Sequence, residues 1–147
     1  MTTLSRERPV IRLVAGMSPA EALNTQPANS QRVILVVDDE SGIRDFLAAY
    51  LQSKNFRVFT ADCAEGALAL WPDISEDVAL LITDIVMPGL NGKRLSERLI
   101  TEKPSLKVIY MSGFLPEEIA EETLDGTFFR KPFHPQELFK AVCAALH

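Results

Sequence analysis

From Arg32 onward two kinds of hydrophobic pattern alternate along the chain, regularly enough to assign elements. Val33-Ile34-Leu35-Val36-Val37 is a β-branched run with no polar residue, the signature of a strand buried on both faces of a parallel sheet. Ile43, Phe46, Leu47, Tyr50 and Leu51 then recur at helical spacing, with Ser41 placed to cap the helix. Arg57 to Thr60 reads as a short strand, Ala64 to Trp71 as a helix halted by Pro72, and Val78 to Thr83 as a second all-apolar strand. Lys93 to Thr101 is predicted helical and Leu106 to Met111 a fourth strand. Pro116 to Leu124 reads as a short acidic helix with proline in its first turn, Thr127 to Phe129 as a fifth strand, and Pro135 to Leu146 as a closing amphipathic helix. Such alternation predicts an α/β fold, a doubly wound parallel sheet with helices on both faces and right-handed crossovers. Its functional crevice should lie outside the carboxyl ends of the strands, where strand order reverses.

Residues 1–31 lack this order. Pro9, Pro19 and Pro27, with Asn24, Gln26, Asn29 and Ser30, form a composition that does not offset its own ordering entropy, so 1–31 is expected to be a flexible tail and 32–147 the folded domain. Ser18 is placed to cap one helical turn at Pro19 to Leu23, too short to hold alone. Arg12 interrupts the one candidate apolar run near the start, so export is not expected. No apolar stretch reaches the ~18 residues of a membrane span, and membrane insertion is not expected either; cytoplasm is the default.

Composition narrows the classes further. The chain is 47% hydrophobic and 24% charged with a net charge of -5, an ordinary globular balance. Residues 33–147 carry 11 basic against 18 acidic groups, which disfavours generic polyanion binding and with it a direct nucleic-acid role. Cys63 and Cys143 lie far apart in apolar stretches and read as buried, reduced thiols. With His134 and His147 confined to the end of the chain, no zinc site is expected.

Chemistry gathers just after the strands. Asp38-Asp39 follows the first, Asp84 the third, Ser112-Gly113 the fourth and Lys131-Pro132 the fifth. Each has an ordinary reading alone: helix caps, a loop acid, a turn serine, a surface lysine. Jointly, a doubly wound sheet brings three carboxylates, a hydroxyl and an ammonium to one edge. Adjacent carboxylates repel unless a cation is bound. Oxygen ligands without histidine or thiolate suit Mg²⁺, which keeps open positions for water and phosphate oxygens. A carboxylate is a recognised nucleophile toward phosphorus, and a phosphoryl group in transfer needs its oxygens neutralised by a metal, a cation and hydrogen-bond donors.

Four pieces together resemble the receiver domain of two-component response regulators, the module phosphorylated on aspartate by histidine kinases. They are Val36-Val37-Asp38-Asp39-Glu40, Thr83-Asp84-Ile85-Val86-Met87-Pro88-Gly89-Leu90-Asn91-Gly92, Met111-Ser112-Gly113 and Phe128-Phe129-Arg130-Lys131-Pro132-Phe133. The resemblance covers about Arg32 to His147. It implies a flavodoxin-like (βα)5 fold with a five-stranded parallel sheet in order 2-1-3-4-5. It also implies that Asp84 is the phosphoacceptor, with Mg²⁺ bound by Asp39, Asp84 and the backbone carbonyl of Val86, and by Asp38 through water. Ser112 would bond one phosphoryl oxygen, Lys131 would pair with another, and Lys131-Pro132 would be a cis peptide. On phosphorylation Ser112 would move and Phe128, the switch aromatic, would fill the space; a plain core role is the alternative for Phe128. Many relatives carry tyrosine there, and phenylalanine lacks the hydroxyl. Val86 and Phe114 stand where the family tunes water access to the phosphoryl group, and being apolar they imply slow to moderate autodephosphorylation. The changed surface would comprise the fourth helix, fifth strand and closing helix, roughly Pro116 to Leu146. Glu117, Glu118, Glu121, Glu122 and Asp125 put an acidic patch on it, either solvated surface or a site for a basic partner.

The chain stops at His147, about where a receiver ends, so output by contact is expected. Three arrangements remain: a stand-alone receiver, a phosphate shuttle or sink, and the terminal receiver of a hybrid histidine kinase; Met111-Ser112-Gly113-Phe114 with the acidic fourth helix and Lys131-Pro132-Phe133 resembles hybrid-kinase receivers more than transcriptional regulators. Met1 and the tail favour a stand-alone protein. Expected partners are a histidine kinase or histidine phosphotransfer protein and a downstream protein target; a homodimer stays open. The competing class is a phosphorylation-independent interaction scaffold. A Mg²⁺-dependent phosphatase of similar architecture would want a second acid two residues past the nucleophile, where Val86 stands. Enzyme action on an external substrate is not expected.

Overall fold

The computed structural model describes residues 32–147; the expectations for the tail and for the Ser18-capped turn lie outside the described residues. Five strands, β1 (Val33–Val37), β2 (Arg57–Ala61), β3 (Val78–Asp84), β4 (Lys107–Ser112) and β5 (Thr127–Arg130), form one sheet in the order β2-β1-β3-β4-β5. Every pairing is parallel. Four α-helices connect and close them: α1 (Ser41–Ser53), α2 (Ala64–Ile74), α3 (Gly92–Glu102) and α4 (Pro135–Ala145).

Two-residue alternation along the strands builds two separate hydrophobic layers. Val33, Leu35 and Val37 of β1 face one layer, where Ala67 and Trp71 of α2 and Leu95 and Leu99 of α3 pack. Ile34 and Val36 face the other, with Leu47 and Leu51 of α1 and Leu138 and Val142 of α4. All five residues of β1 are buried because helices cover both sides, which is why its sequence carries no polar position. The sheet's order reverses at β1 and β3, so their carboxyl ends frame the crevice.

Three expectations about the helices need correction. The expected helix at Pro116 to Leu124 is absent; a hydrogen-bonded turn, Ile119 N–H to Pro116 carbonyl, leads into a three-residue 3-10 turn at Glu121–Thr123. Glu117 and Glu121, and Glu118 and Glu122, would each stand four apart on a helix, where like charges repel and a nine-residue helix has nothing to spare. Leu115, Ile119 and Leu124 still pack against the first layer. Pro72 does not halt α2, which continues to Ile74 and bonds Ser75 N–H to the Trp71 carbonyl. The buried side chains of Trp71 and Ile74 anchor that last turn, and proline removes only one ladder donor. Ser41 is the first residue of α1 rather than its cap; Glu40 holds the cap position with no side-chain bond.

The two thiols are free but not buried. Cys63 is half-buried and its Sγ accepts the Gly66 N–H at the start of α2, while Cys143, beside core-facing Val142, is turned outward by helical geometry and is exposed. Core position decides stability here: Leu138→Ala in α4 is expected to lower unfolding free energy by about 2–5 kcal/mol, whereas Phe114→Ser at an exposed site changes it by under about 0.5 kcal/mol. Urea titration of the two variants checks the contrast.

Candidate functional site

The crevice end of the sheet is polar in an otherwise apolar frame. Asp38 follows β1, Asp84 ends β3 and Ser112 ends β4, and all three are buried, whereas Asp39 is exposed. Carboxylate oxygens of Asp38, Asp39 and Asp84 lie within 4.8 Å of one another. Lys131, just past β5, donates from Nζ to Asp38 Oδ2 and Asp84 Oδ2, both at 3.0 Å, and stands 3.8 Å from Glu40. The Lys131-Pro132 peptide is cis.

Backbone groups fix these side chains. Asp38 Oδ1 accepts the Glu40 N–H at 2.9 Å and Asp84 Oδ1 the Val86 N–H at 3.3 Å. Lys131 N–H donates to the Ser112 carbonyl at 2.8 Å, which holds the lysine against β4. Ser112 Oγ donates to the Phe114 carbonyl, so its hydroxyl is turned toward the following loop rather than the carboxylates. Val86 and Phe114 are exposed, 41% and 58%, at the rim. Phe128 is half-buried against the first core layer and pairs in register with Tyr110.

Sequence reasoning missed several supports. Arg44 Nη1 donates to the Asp38 carbonyl at 2.7 Å from the first turn of α1, and Thr83 Oγ1 donates to the Asp84 carbonyl at 2.9 Å. Gly92 opens α3 directly beneath the Asp84 carbonyl oxygen, in a space that a Cβ would share with it. A glycine at the start of a helical stripe signals a close approach; nothing in the sequence marks Arg44.

The electrostatics are asymmetric. Burial pushes the Asp84 carboxyl above its ordinary pKa; the hydrogen bond and charge of Lys131 pull back, and the Asp38 charge adds to the rise. Burial alone would lower the Lys131 ammonium, but hydrogen bonds to Asp38 and Asp84 and their charges outweigh it, and Lys131 stands above its usual value. Asp39 is not among the ion-pair partners of Lys131. Three carboxylates facing one ammonium leave negative charge in excess, and the donors are all oxygens, which fits a hard divalent cation such as Mg²⁺. Lys131 is the ammonium that this cluster holds, shared between Asp38 and Asp84.

Comparison with known proteins agrees with this geometry. Residues 34–143 match the family model described as response regulator receiver domain. The chain is 31% identical over 112 residues to the response regulator receiver protein CpdR of Brucella abortus, covering 74% of this chain and 92% of that protein. It is 33% identical over 133 residues to the putative two-component response regulator ARR21 of Arabidopsis thaliana, covering 88% of this chain but only 21% of that protein. The chain therefore spans about a fifth of the plant protein and nearly all of CpdR. The crystal structure of response regulator protein TrrA from Thermotoga maritima, in complex with Mg²⁺-BeF, aligns at a TM-score of 0.68 and 30% identity, covering 78% of this chain and 99% of that one. Among the described residues no helix is long and apolar enough to cross a membrane.

Two outcomes follow for the metal-free protein. Because the folded pKa of Asp84 lies above its unfolded value, its ionisation weakens the fold, and this cost is present at neutral pH and vanishes below about pH 4, where both states are protonated. Asp84→Asn in chelator is expected to raise the denaturation midpoint at pH 7, with the gain shrinking as pH falls; a lowered midpoint at pH 7 contradicts the electrostatic account. Gly92→Ala, which must displace the Asp84 carbonyl, is expected to cost about 1–3 kcal/mol.

Proposed function

The chain belongs to the response regulator receiver domain family of two-component systems, and from that premise we propose that it is a phosphoacceptor taking a phosphoryl group onto Asp84 from a histidine kinase or histidine phosphotransfer protein. One observation carries the reading: Lys131 Nζ lies 3.0 Å from carboxylate oxygens of both Asp38 and Asp84, with Asp39 in the same cluster. The Asp84 oxygen forms the new bond to phosphorus as the donor's phosphorus–nitrogen bond breaks. Lys131 gives up one contact to Asp84 and holds a phosphoryl oxygen. Ser112 turns its hydroxyl from the Phe114 carbonyl to another phosphoryl oxygen.

Asp39, Asp84 and the Val86 carbonyl would hold Mg²⁺, with Asp38 acting through water. The ion, when bound, supplies neutralisation of carboxylate and phosphoryl charge. Asp38 is the better candidate for the indirect place because Lys131 and the Glu40 N–H already occupy its oxygens. Phe128, half-buried beside Ser112's strand, is the aromatic that follows the serine inward. The reading places the protein in the cytoplasm. Its surface for a downstream protein is the segment Pro116 to Leu124 with β5 and α4. It performs no chemistry on other substrates and promotes only its own phosphorylation and dephosphorylation.

Intact mass after incubation with Mg²⁺ and acetyl phosphate tests this. A gain of about 80 Da, one phosphoryl group, is expected in the wild type and is lost with Asp84→Asn or with chelator. Failure with acetyl phosphate and with a panel of histidine kinases would favour a phosphorylation-independent scaffold. With Val86 and Phe114 apolar at the rim, the phosphorylated form is expected to persist for minutes or longer; decay within seconds would contradict that part.

A further inference from the structure

Buried hydroxyls are costly unless satisfied, and β4 carries one deep in the first core layer. Tyr110 is 0% exposed, and its hydroxyl lies 2.6 Å from Ser96 Oγ, itself fully buried on α3. Ser96 has one hydroxyl proton, and its Oγ donates 2.7 Å away to the Lys93 carbonyl. Tyr110 is therefore the donor in the pair, and its oxygen is left to accept the Asp125 N–H at 3.3 Å. The chain of bonds has one direction: Asp125 N–H to Tyr110, Tyr110 to Ser96, Ser96 to the Lys93 carbonyl. Burial raises the Tyr110 pKa, which keeps the hydroxyl protonated as this arrangement requires.

The far end of that relay is informative. Asp125 closes the segment that joins β4 to β5, the segment with a 3-10 turn where a helix was expected. Its neighbour Gly126 presses on the Val108 carbonyl so closely that a Cβ has no room. The segment's exit is thus clamped at two consecutive residues, both against β4. Tyr110 stands two residues before Ser112 on the same face of that strand and pairs in register with Phe128 on β5. Phe128 has no hydroxyl, so the aromatic hydroxyl between the site and the output segment belongs to β4.

We propose that the Tyr110 hydroxyl is a positioning group that ties the β4–β5 segment to the phosphoacceptor edge, so that occupancy of Asp84 reaches residues 113–126 through β4 and Tyr110. The coupling half of this rests on the Asp84 reading above; the clamping half does not. Removing the hydroxyl frees the Asp125 amide and lets the segment relax independently of the site, while the carboxylate cluster and Lys131 are untouched.

The test compares wild type, Tyr110→Phe, Ser96→Ala and the surface control Thr123→Ala by hydrogen exchange read on peptides spanning 113–126, without ligand and with Mg²⁺ plus beryllofluoride. Asp84 occupancy is followed independently by fluorine NMR. Without ligand, exchange at Asp125 is expected to rise at least tenfold in Tyr110→Phe and to stay within twofold in Thr123→Ala. Ser96→Ala removes the acceptor while keeping the tyrosine; it is expected to show a smaller rise and serves if Tyr110→Phe does not fold. With ligand, wild type should change exchange across 113–126 at least fivefold, and Tyr110→Phe less than twofold at equal beryllofluoride occupancy. Unchanged Asp125 exchange in both variants overturns the clamp. An intact ligand response in Tyr110→Phe overturns the coupling. If beryllofluoride binds no form of the protein, the Asp84 reading fails instead, and the ligand-free comparison still decides the clamp.

Discussion

Lys131 must satisfy two carboxylates that arrive from different strands, and the placement of everything near the crevice depends on that pairing. Asp38 lies 93 residues away in sequence and Asp84 lies 47, yet each accepts the same ammonium at 3.0 Å. Chain ends so distant meet only if β1, β3 and β5 run parallel with their carboxyl ends level. The fold therefore precedes the site, and the site in turn strains it. A buried charge cluster of mixed sign is weak evidence for stability. Here the balance is uneven, with the Asp84 carboxyl pushed toward its neutral form and the lysine held firmly charged. Three carboxylates against one ammonium leave the cluster short of positive charge, which a bound divalent cation would supply.

The parts of the structure legible in sequence are those governed by one physical rule at a time. A strand covered on both faces can hold no polar residue, so Val33–Val37 announced itself to the residue. The polar residues that end such runs must stand at the crevice, which made Asp38, Asp84, Ser112 and Lys131 visible together. Where two rules competed, sequence reasoning chose the wrong one. Proline in α2 lost to the burial of Trp71 and Ile74. The acidic run at 117–125 had helix-forming residues and a proline start, but like charges four apart oppose a helix too short to offset them. Arg44 and Tyr110 were illegible for a third reason. Their roles are contacts with backbone groups of other elements, and a one-dimensional pattern does not record where a carbonyl or an amide will be.

That last class of contact bears on how a change at the cluster could leave it. Asp84 and Ser112 end adjacent strands, and the bonds just past them are main-chain: Ile85 N–H to the Met111 carbonyl, Lys131 N–H to the Ser112 carbonyl. Movement of Ser112 is therefore not a private side-chain event, because β4 is stitched to β3 on one side and to the residue after β5 on the other. Tyr110 lies inside that stitched region and its hydroxyl reaches out of it, to α3 through Ser96 and to the β4–β5 segment through Asp125.

A regular helix between β4 and β5 would satisfy its own amides and need little from the strand beneath it. The segment present here does not, since one of its closing amides relies on a side chain of β4. Losing the helix removes rigidity from this surface and at the same time makes its position depend on the strand that carries Ser112. A segment rich in like charge and held at its exit by a buried hydroxyl and a close glycine contact is drawn from the low-stability end of the fold, which is where moving elements are found. The absence of the expected helix and the presence of a buried tyrosine on β4 are then two aspects of one arrangement, in which the strand supplies the order that the segment lacks.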